Sequence, residues 1–227
     1  MSAHAATTHS LAPLVVDELP ARRRFAQGLA ALKRLRDDPD DTELALRASL
    51  LLNFGSLRRA LHAFQSCEEG RGVLRARPAL DRHVDLNALS ALPENTLGHA
   101  YSRFLARRGL TPEPFVPPSE VRDEHLRYIS QRMRQTHDLW HVVTGYDTDV
   151  MGEIELQAFS FGQLRTPFAF FVALGGVLKA AGARARLAAR VLRAYRRARR
   201  AEPLCYRAWE QRFATPLADV RRELALD

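Results

Sequence analysis

His137 and His141 stand four residues apart in Thr136-His137-Asp138-Leu139-Trp140-His141, Gly145 follows, and Glu153 lies eleven intervening residues beyond the second histidine. On a helix, residues i and i+4 share a face, and i+1 lies about 100° round from i. Two imidazoles can then aim at one point, with the Asp138 carboxylate on the flank. Gly145 ends such a helix and Asp149 can cap the next, a reversal that brings Glu153 back opposite the histidines. Two imidazoles and two carboxylates make a mixed nitrogen and oxygen shell suited to Zn²⁺ and acceptable to Fe²⁺ or Mn²⁺.

The bland alternative is a helical hairpin in which Asp138 and Glu153 simply pair with the histidines or with nearby arginines. Asp147, Asp149 and Glu155 are rival carboxylates that spacing alone does not separate. The pattern also has the shape of the HExxH helix of zinc proteases, where the Glu is the general base. Asp138 in that place is one methylene shorter, better suited to ligate or orient than to reach a metal-bound water, so a hydrolase ranks below.

The elements that must position these groups read as helices. Apolar residues recur at spacings of three and four from Phe25 to Leu35, until Asp37-Asp38-Pro39 stops the run. Asp41-Thr42 can cap a second helix with Leu44, Ala48, Leu51 and Leu52 on its stripe, and Ser56–Gln65 and Glu68–Arg77 read as shorter pieces before Pro78. His83–Leu92 is expected to be a loop with one helical turn. Pro93 opens a helix on which Leu97, Tyr101, Phe104 and Leu105 share a face, with Gly109 as C-cap. The prolines of Thr111–Pro118 demand an extended connection. A helical hairpin is expected over about 119–143 and 149–162, then helices near 167–181, 184–200, 203–213 and 216–225. Strand-like alternation is almost absent. The expectation is an all-α fold: a loose tail over residues 1–19 and a single helical domain over 20–227, with the metal site on the hairpin and a basic amphipathic helix at the periphery.

The chain has 227 residues, enough for one large core, and ordinary proportions of apolar (46%) and charged (26%) residues. Its net charge of +8 favours anionic partners. Two cysteines, Cys67 and Cys205, allow one disulfide but neither a disulfide framework nor a thiolate metal site, and a reduced intracellular setting is the simpler inference. No signal-peptide pattern and no apolar run of 18 residues is present. Pro167–Leu178 is apolar nearly all round but too short to span a bilayer. Beyond it, Arg186, Arg190, Arg193, Arg197 and Arg200 recur on one helical face, with Leu187, Val191 and Tyr195 on another. Such a helix fits an anionic bilayer interface, or a solvated face packed on the core. The absence of zinc-finger, RNA-binding or helix-turn-helix signals argues against nucleic acid.

His137-Asp138-x-x-His141 followed by Glu153 resembles the HDxxH-x11-E signature of the ubiquinone biosynthesis protein 4 family. Leu92-Pro93-Glu94-Asn95-Thr96-Leu97-Gly98 with Tyr101 and Phe104-Leu105 resembles that family's LP-x-x-TLG-x-x-Y-x-x-FL segment. Asp123-Glu124 and Tyr128–Arg134 are similar to its run into the metal helix, and Tyr206–Glu210 and Val220–Leu224 to its Y-x-x-x-WE and LR-x-EL pieces. The resemblance covers roughly residues 25–226.

It implies an all-helical protein peripheral to membranes, acting in C1 oxidative decarboxylation of a 4-hydroxy-polyprenylbenzoate, with carboxylate replaced by hydroxyl. It also implies an organising role among quinone-biosynthesis enzymes. The metal and catalytic residues it implies are His137, Asp138, His141 and Glu153, with zinc as the usual metal. Zinc has no redox chemistry, so the oxidation calls for dioxygen as co-substrate or for a redox metal. The alternative is a non-catalytic prenyl-lipid-binding scaffold with a structural metal. Expected partners are the polyprenylated 4-hydroxybenzoate-type lipid, an anionic membrane surface, other quinone-biosynthesis proteins and further copies of the chain as a homo-oligomer. The expected location is the cytoplasmic side of the inner membrane, held peripherally.

Overall fold

The computed structural model describes residues 15–35, 37–38, 41–80, 84–110, 118–180 and 182–226. Eleven α-helices and two short 3-10 helices occur among these residues, and no strand. The helices are α1 (Ala21–Leu35), α2 (Thr42–Ser66), α3 (Glu68–Ala76), α4 (Leu86–Ser90), α5 (Leu97–Arg108), α6 (Glu124–Gln135), α7 (His137–Thr144), α8 (Val150–Leu164), α9 (Pro167–Lys179), α10 (Arg184–Arg200) and α11 (Leu217–Glu223). The all-α expectation holds, in one domain. Among the described residues no helix is long and apolar enough to cross a membrane.

The 25-residue α2 is the central post, packed by α1, α3, α6 and α9. It runs unbroken through Gly55, where two pieces were expected. Leu50, Leu51, Phe54 and Leu57 are all buried along it, and that burial outweighs the cost of about 1 kcal/mol for a glycine inside a helix. The Asp41 side chain accepts from the N–H of Leu44 and caps its start. α8 and α10 form the closest pair. A Cβ on Gly162 would come within 2.6 Å of the Ala198 Cβ, so this glycine sets how near the two backbones lie.

Residues 1–14 of the expected tail, His83 at the start of the loop expected over His83–Leu92, and 111–117 of the proline-rich connection lie outside the described residues. Residues 15–19 are seated rather than loose: Val16 is buried, and its N–H donates to Glu120 O at 2.7 Å.

Three other expectations are corrected. α5 begins at Leu97 rather than Pro93, because Thr96 caps it and the N–H groups of Leu97 and Gly98 donate to Thr215 and Phe213 of the C-terminal segment. The helix expected over 119–143 begins only at Glu124, capped by Asp123, and is divided at Thr136. There the hydroxyl bonds back to Arg132 O at 2.9 Å, a local alternative to the helical ladder. Residues 203–213 are turns with one 3-10 helix, Trp209–Gln211. Glu69 on α3 accepts from the side chains of Arg207 and Arg212 and the N–H of Ala208, so long-range bonds replace helical ones.

Candidate metal centre

α7 is eight residues long and carries both histidines. Its inner face buries Leu139, Trp140 and Val143, leaving His137 half-exposed while His141 is 1% exposed. Trp140 is a core residue packed edge-on to Phe159. Gly145 at φ +76° ends α7, a backbone region that glycine adopts without strain. Asp149 Oδ1 accepts from the N–H of Gly152 at 2.6 Å and starts α8. A Cβ on Gly152 would lie 2.0 Å from Asp147 O, so the α7–α8 turn packs directly on the first turn of α8.

This reversal brings His137, His141 and Glu153 together, one ligating atom from each lying within 4.8 Å of the others. Glu153 presents Oε1 at 3.1 Å from His141 Nε2 and Oε2 at 3.7 Å from His137 Nε2. Asp138 stands outside that cluster, half-buried on the flank of α7, with no hydrogen bond or ion pair among the described residues. The rival carboxylates are engaged elsewhere. Asp147 binds Arg108 and the N–H of Thr148, Asp149 is the α8 cap, and Glu155 holds Arg190 through two bonds of 2.9 and 2.6 Å.

The donor set fits a metal cation. His141 Nδ1 lies 2.9 Å from Tyr146 O, and a carbonyl only accepts, so Nδ1 must carry the proton. In the neutral ring Nε2 is then a bare lone pair; it is buried and without a satisfactory hydrogen bond, facing a carboxylate oxygen. Two acceptors at that distance need a cation between them. When the cation is a proton, burial opposes the charge on His141, but Glu153 and the Tyr146 carbonyl outweigh it and raise its pKa. Burial would raise the Glu153 carboxyl, but the two histidines prevail and hold it down at about 2.

The neighbouring contacts brace this geometry. Phe104 on α5 stacks on the His141 ring at 5.8 Å, and the Arg108 guanidinium lies over the Phe104 ring at 3.9 Å from its centroid. A recess of about 400 Å³ opens beside His141, lined by Arg103, Phe104, Arg107, Arg108 and Tyr146. Most telling is the C-terminal end of α7, where four carbonyls lack helical partners. Gly145 N–H donates to His141 O, Arg221 to Val142 O and Val143 O at 3.0 and 2.9 Å, and Arg197 to Thr144 O at 2.6 Å. Neither arginine stood out in the sequence as part of the site. Arg221 belongs to the LR-x-EL piece and Arg197 to the basic stripe, and only spatial proximity reveals their task.

On the far side of α8 an apolar groove of about 280 Å³ runs between α8, α9 and α10, lined by Ala158, Phe161, Phe170, Leu174, Val191 and Leu192 among others. Phe170, Leu174 and Leu178 form an exposed i, i+4 stripe along α9. The basic stripe of α10 is divided. Arg190 and Arg197 turn to partners in the fold, while Arg186, Arg193 and Arg200 remain exposed.

A family model described as coenzyme Q (ubiquinone) biosynthesis protein Coq4 matches residues 22–227. The ubiquinone biosynthesis protein COQ4, mitochondrial, of Meyerozyma guilliermondii is 32% identical over 177 residues, covering 75% of this chain and 56% of that protein. The mitochondrial COQ4 homolog of Rattus norvegicus is 34% identical over 161 residues, covering 70% of this chain and 61% of its own. This chain thus spans little more than half the length of those relatives. A crystal structure of a chain from Nostoc punctiforme, provisionally described as a ubiquinone biosynthesis protein, superposes with a TM-score of 0.71 at 27% identity, covering 89% of this chain and 98% of that one. With all but its first 21 residues matched by the family model, this chain belongs to the Coq4 family of coenzyme Q (ubiquinone) biosynthesis proteins.

Proposed function

We propose that this protein performs a metal-dependent C1 step of ubiquinone biosynthesis at a membrane surface, replacing the ring carboxylate of a 4-hydroxy-polyprenylbenzoate by hydroxyl. The observation that carries this reading is the open triad of His137, His141 and Glu153. The side chains of His137 and Glu153 are each 38% exposed, and three protein ligands leave a coordination position open to solvent or substrate, whereas a structural site fills all four positions with protein. Asp138, without a hydrogen bond or ion pair among the described residues, flanks this triad from outside it. Zinc suits the set best, and Fe²⁺ or Mn²⁺ would accept it.

A divalent cation held there supplies Lewis acidity toward a carboxylate or phenolate oxygen. The chain's own residues do the rest. Tyr146 O holds the His141 tautomer, Phe104 keeps water from one face of that ring, and Arg103 and Arg107 lend positive charge to the recess an anionic head group would approach. In the overall change the bond from ring to carboxylate breaks and carbon dioxide leaves; water supplies the oxygen of the new C–O bond, and dioxygen as co-substrate accepts the two electrons with two protons and leaves as hydrogen peroxide. The apolar groove between α8, α9 and α10 suits a polyprenyl tail. The exposed stripe of α9 with Arg186, Arg193 and Arg200 suits peripheral contact with an anionic bilayer.

A second reading is a scaffold that binds prenyl lipid and organises other quinone-biosynthesis proteins. It is favoured by the half-buried Asp138 on the flank of α7, which would complete a tetrahedral shell if it turned in toward the triad. The two separate on one experiment: metal-loaded protein is incubated in air with detergent-solubilised 4-hydroxy-3-polyprenylbenzoate, and products are followed by mass spectrometry. Conversion to the hydroquinone that is absent in His137→Ala supports the enzyme. Tight binding without conversion across zinc, iron and manganese supports the scaffold. An active, metal-free Glu153→Ala protein sinks the metal assignment altogether.

A further inference from the structure

We propose that Arg197, on a helix that supplies no ligand, is a positioning residue for the metal centre: it clamps the α7–α8 turn and so fixes the tautomer and direction of His141. The proposal rests on the metal reading above for its consequence, but not for its geometry.

Arg197 reaches inward from α10 to both sides of Gly145. One terminal nitrogen donates to Thr144 O at 2.6 Å, and the guanidinium lies 5.5 Å from the centroid of the Tyr146 ring. Its remaining donors hold Leu226 O, through Nε at 2.9 Å and through the second terminal nitrogen. The last residue of α7, the turn and the C-terminal segment are thereby tied to one planar group. Arg suits this role because its donors sit in a fixed fork, whereas an ammonium presents a single point of charge.

The tie matters because Tyr146 is the residue whose carbonyl receives the His141 Nδ1 proton. A ligating imidazole is oriented by the partner of its other nitrogen, and loss of such a partner costs about 10–100-fold in metal affinity. Gly145 lies between the helix end and that carbonyl, and its lack of a side chain leaves the Tyr146 carbonyl free to swing unless something holds it. Arg197 holds it from the helix side and the ring side together. The Tyr146 ring is in turn packed edge-on to Phe159, so the clamp closes onto the core.

The experiment compares wild type, Arg197→Ala, Arg197→Lys and Tyr146→Leu in three measurements. These are zinc affinity by chelator competition, the visible spectrum of the Co²⁺-substituted protein, and the tautomer of His141 by ¹⁵N NMR of the imidazole in metal-free protein, at a pH high enough that the ring is neutral. Melting temperature is recorded beside them. For Arg197→Ala the expected result is zinc affinity about 10–100-fold weaker, an altered Co²⁺ spectrum, and loss of the single Nδ1–H tautomer. Arg197→Lys should fall between. Arg197→Ala with wild-type affinity, spectrum and tautomer, and only a lower melting temperature, would show a structural prop and overturn the proposal. If Arg197→Ala does not fold, Tyr146→Leu decides: weaker zinc binding supports the clamp and wild-type binding refutes it. Should wild type bind neither metal, the metal reading fails by itself. The tautomer then still decides the clamp, which falls if Arg197→Ala keeps the wild-type Nδ1–H form.

Discussion

Glu153 Oε1 stands 3.1 Å from Nε2 of His141, a carboxylate set against an imidazole nitrogen whose own proton is already committed to the other side of the ring. The pair therefore holds a cation, and either a proton or a metal can fill the place.

That competition gives a pH dependence with a definite sign. His141 has a raised pKa, so its contribution to folding is fully present below its ordinary value of 6.5 and is lost as pH rises through the raised one. Glu153, held down at about 2, contributes above its ordinary 4.5 and loses that contribution as pH falls towards about 2. The metal-free chain should thus gain most from the pair between those two ordinary values. Metal must expel the His141 proton, so zinc affinity should rise by about tenfold per pH unit until His141 is neutral, and then level off. Chelator competition across about pH 5.5–8.5 measures this; a flat profile would contradict the proton-or-metal account.

The packing at the start of α8 makes a sharper mutational forecast. Gly152→Ala would drive a methyl into Asp147 O, so the turn must shift and Glu153 with it. We expect a stability loss of about 1–3 kcal/mol together with weaker zinc binding. Gly72→Ala is the contrast: a Cβ there meets nothing within 4 Å inside α3, and the change should stabilise by about 0.4–1 kcal/mol. Chemical denaturation of both variants, with zinc affinity alongside, checks the pair. Equal effects would mean that the crowding at Gly152 is absorbed.

Arg132 is fully buried on α6 and bonded to both oxygens of Glu210, one of them at 2.8 Å. Glu210→Ala strands that guanidinium in the core, where its other acceptors among the described residues are main-chain carbonyls, Arg207 O at 3.0 Å and Pro78 O at 3.5 Å. The loss should be about 3–5 kcal/mol, read as a lower denaturation midpoint. A loss below about 1 kcal/mol, the range of surface pairs, would show that the charge is relieved by water.

The surface of α9 tests the membrane reading. Leu174→Glu with Leu178→Glu alters side chains that are 41% and 57% exposed, so stability should change by no more than about 0.5 kcal/mol per site. Co-sedimentation with vesicles containing phosphatidylglycerol should nevertheless fall sharply. Replacing Arg186, Arg193 and Arg200 by Gln should weaken it further, by about 1 kcal/mol per charge and most at low salt. Undiminished vesicle binding in both variants would remove this face from the account.

Local chemistry determined a good deal of this protein by itself. The i, i+4 spacing of His137 and His141, the glycine stop at Gly145 and the Asp149 cap act within a few residues, so the hairpin that returns Glu153 was legible before any fold was known. The Gly109 stop and the Asp41 cap were legible for the same reason. Only the tertiary structure decided which carboxylates are free. Asp147 and Glu155 are taken by Arg108 and Arg190, arginines 39 and 35 residues away in sequence, and a charge pair at that separation leaves no spacing signature. The same holds for the end of the metal helix. Arg197 and Arg221 read as one more basic stripe and one more charged helix because capping of a carbonyl is a property of place. Their donors find Thr144, Val142 and Val143 only once α10 and α11 have been packed against α7. The turns over 203–213 were misread as helix for a related reason. The backbone there gives up its helical bonds because the half-buried Glu69, packed against it from α3, offers a better-placed acceptor, and packing of that kind is settled by the whole chain at once.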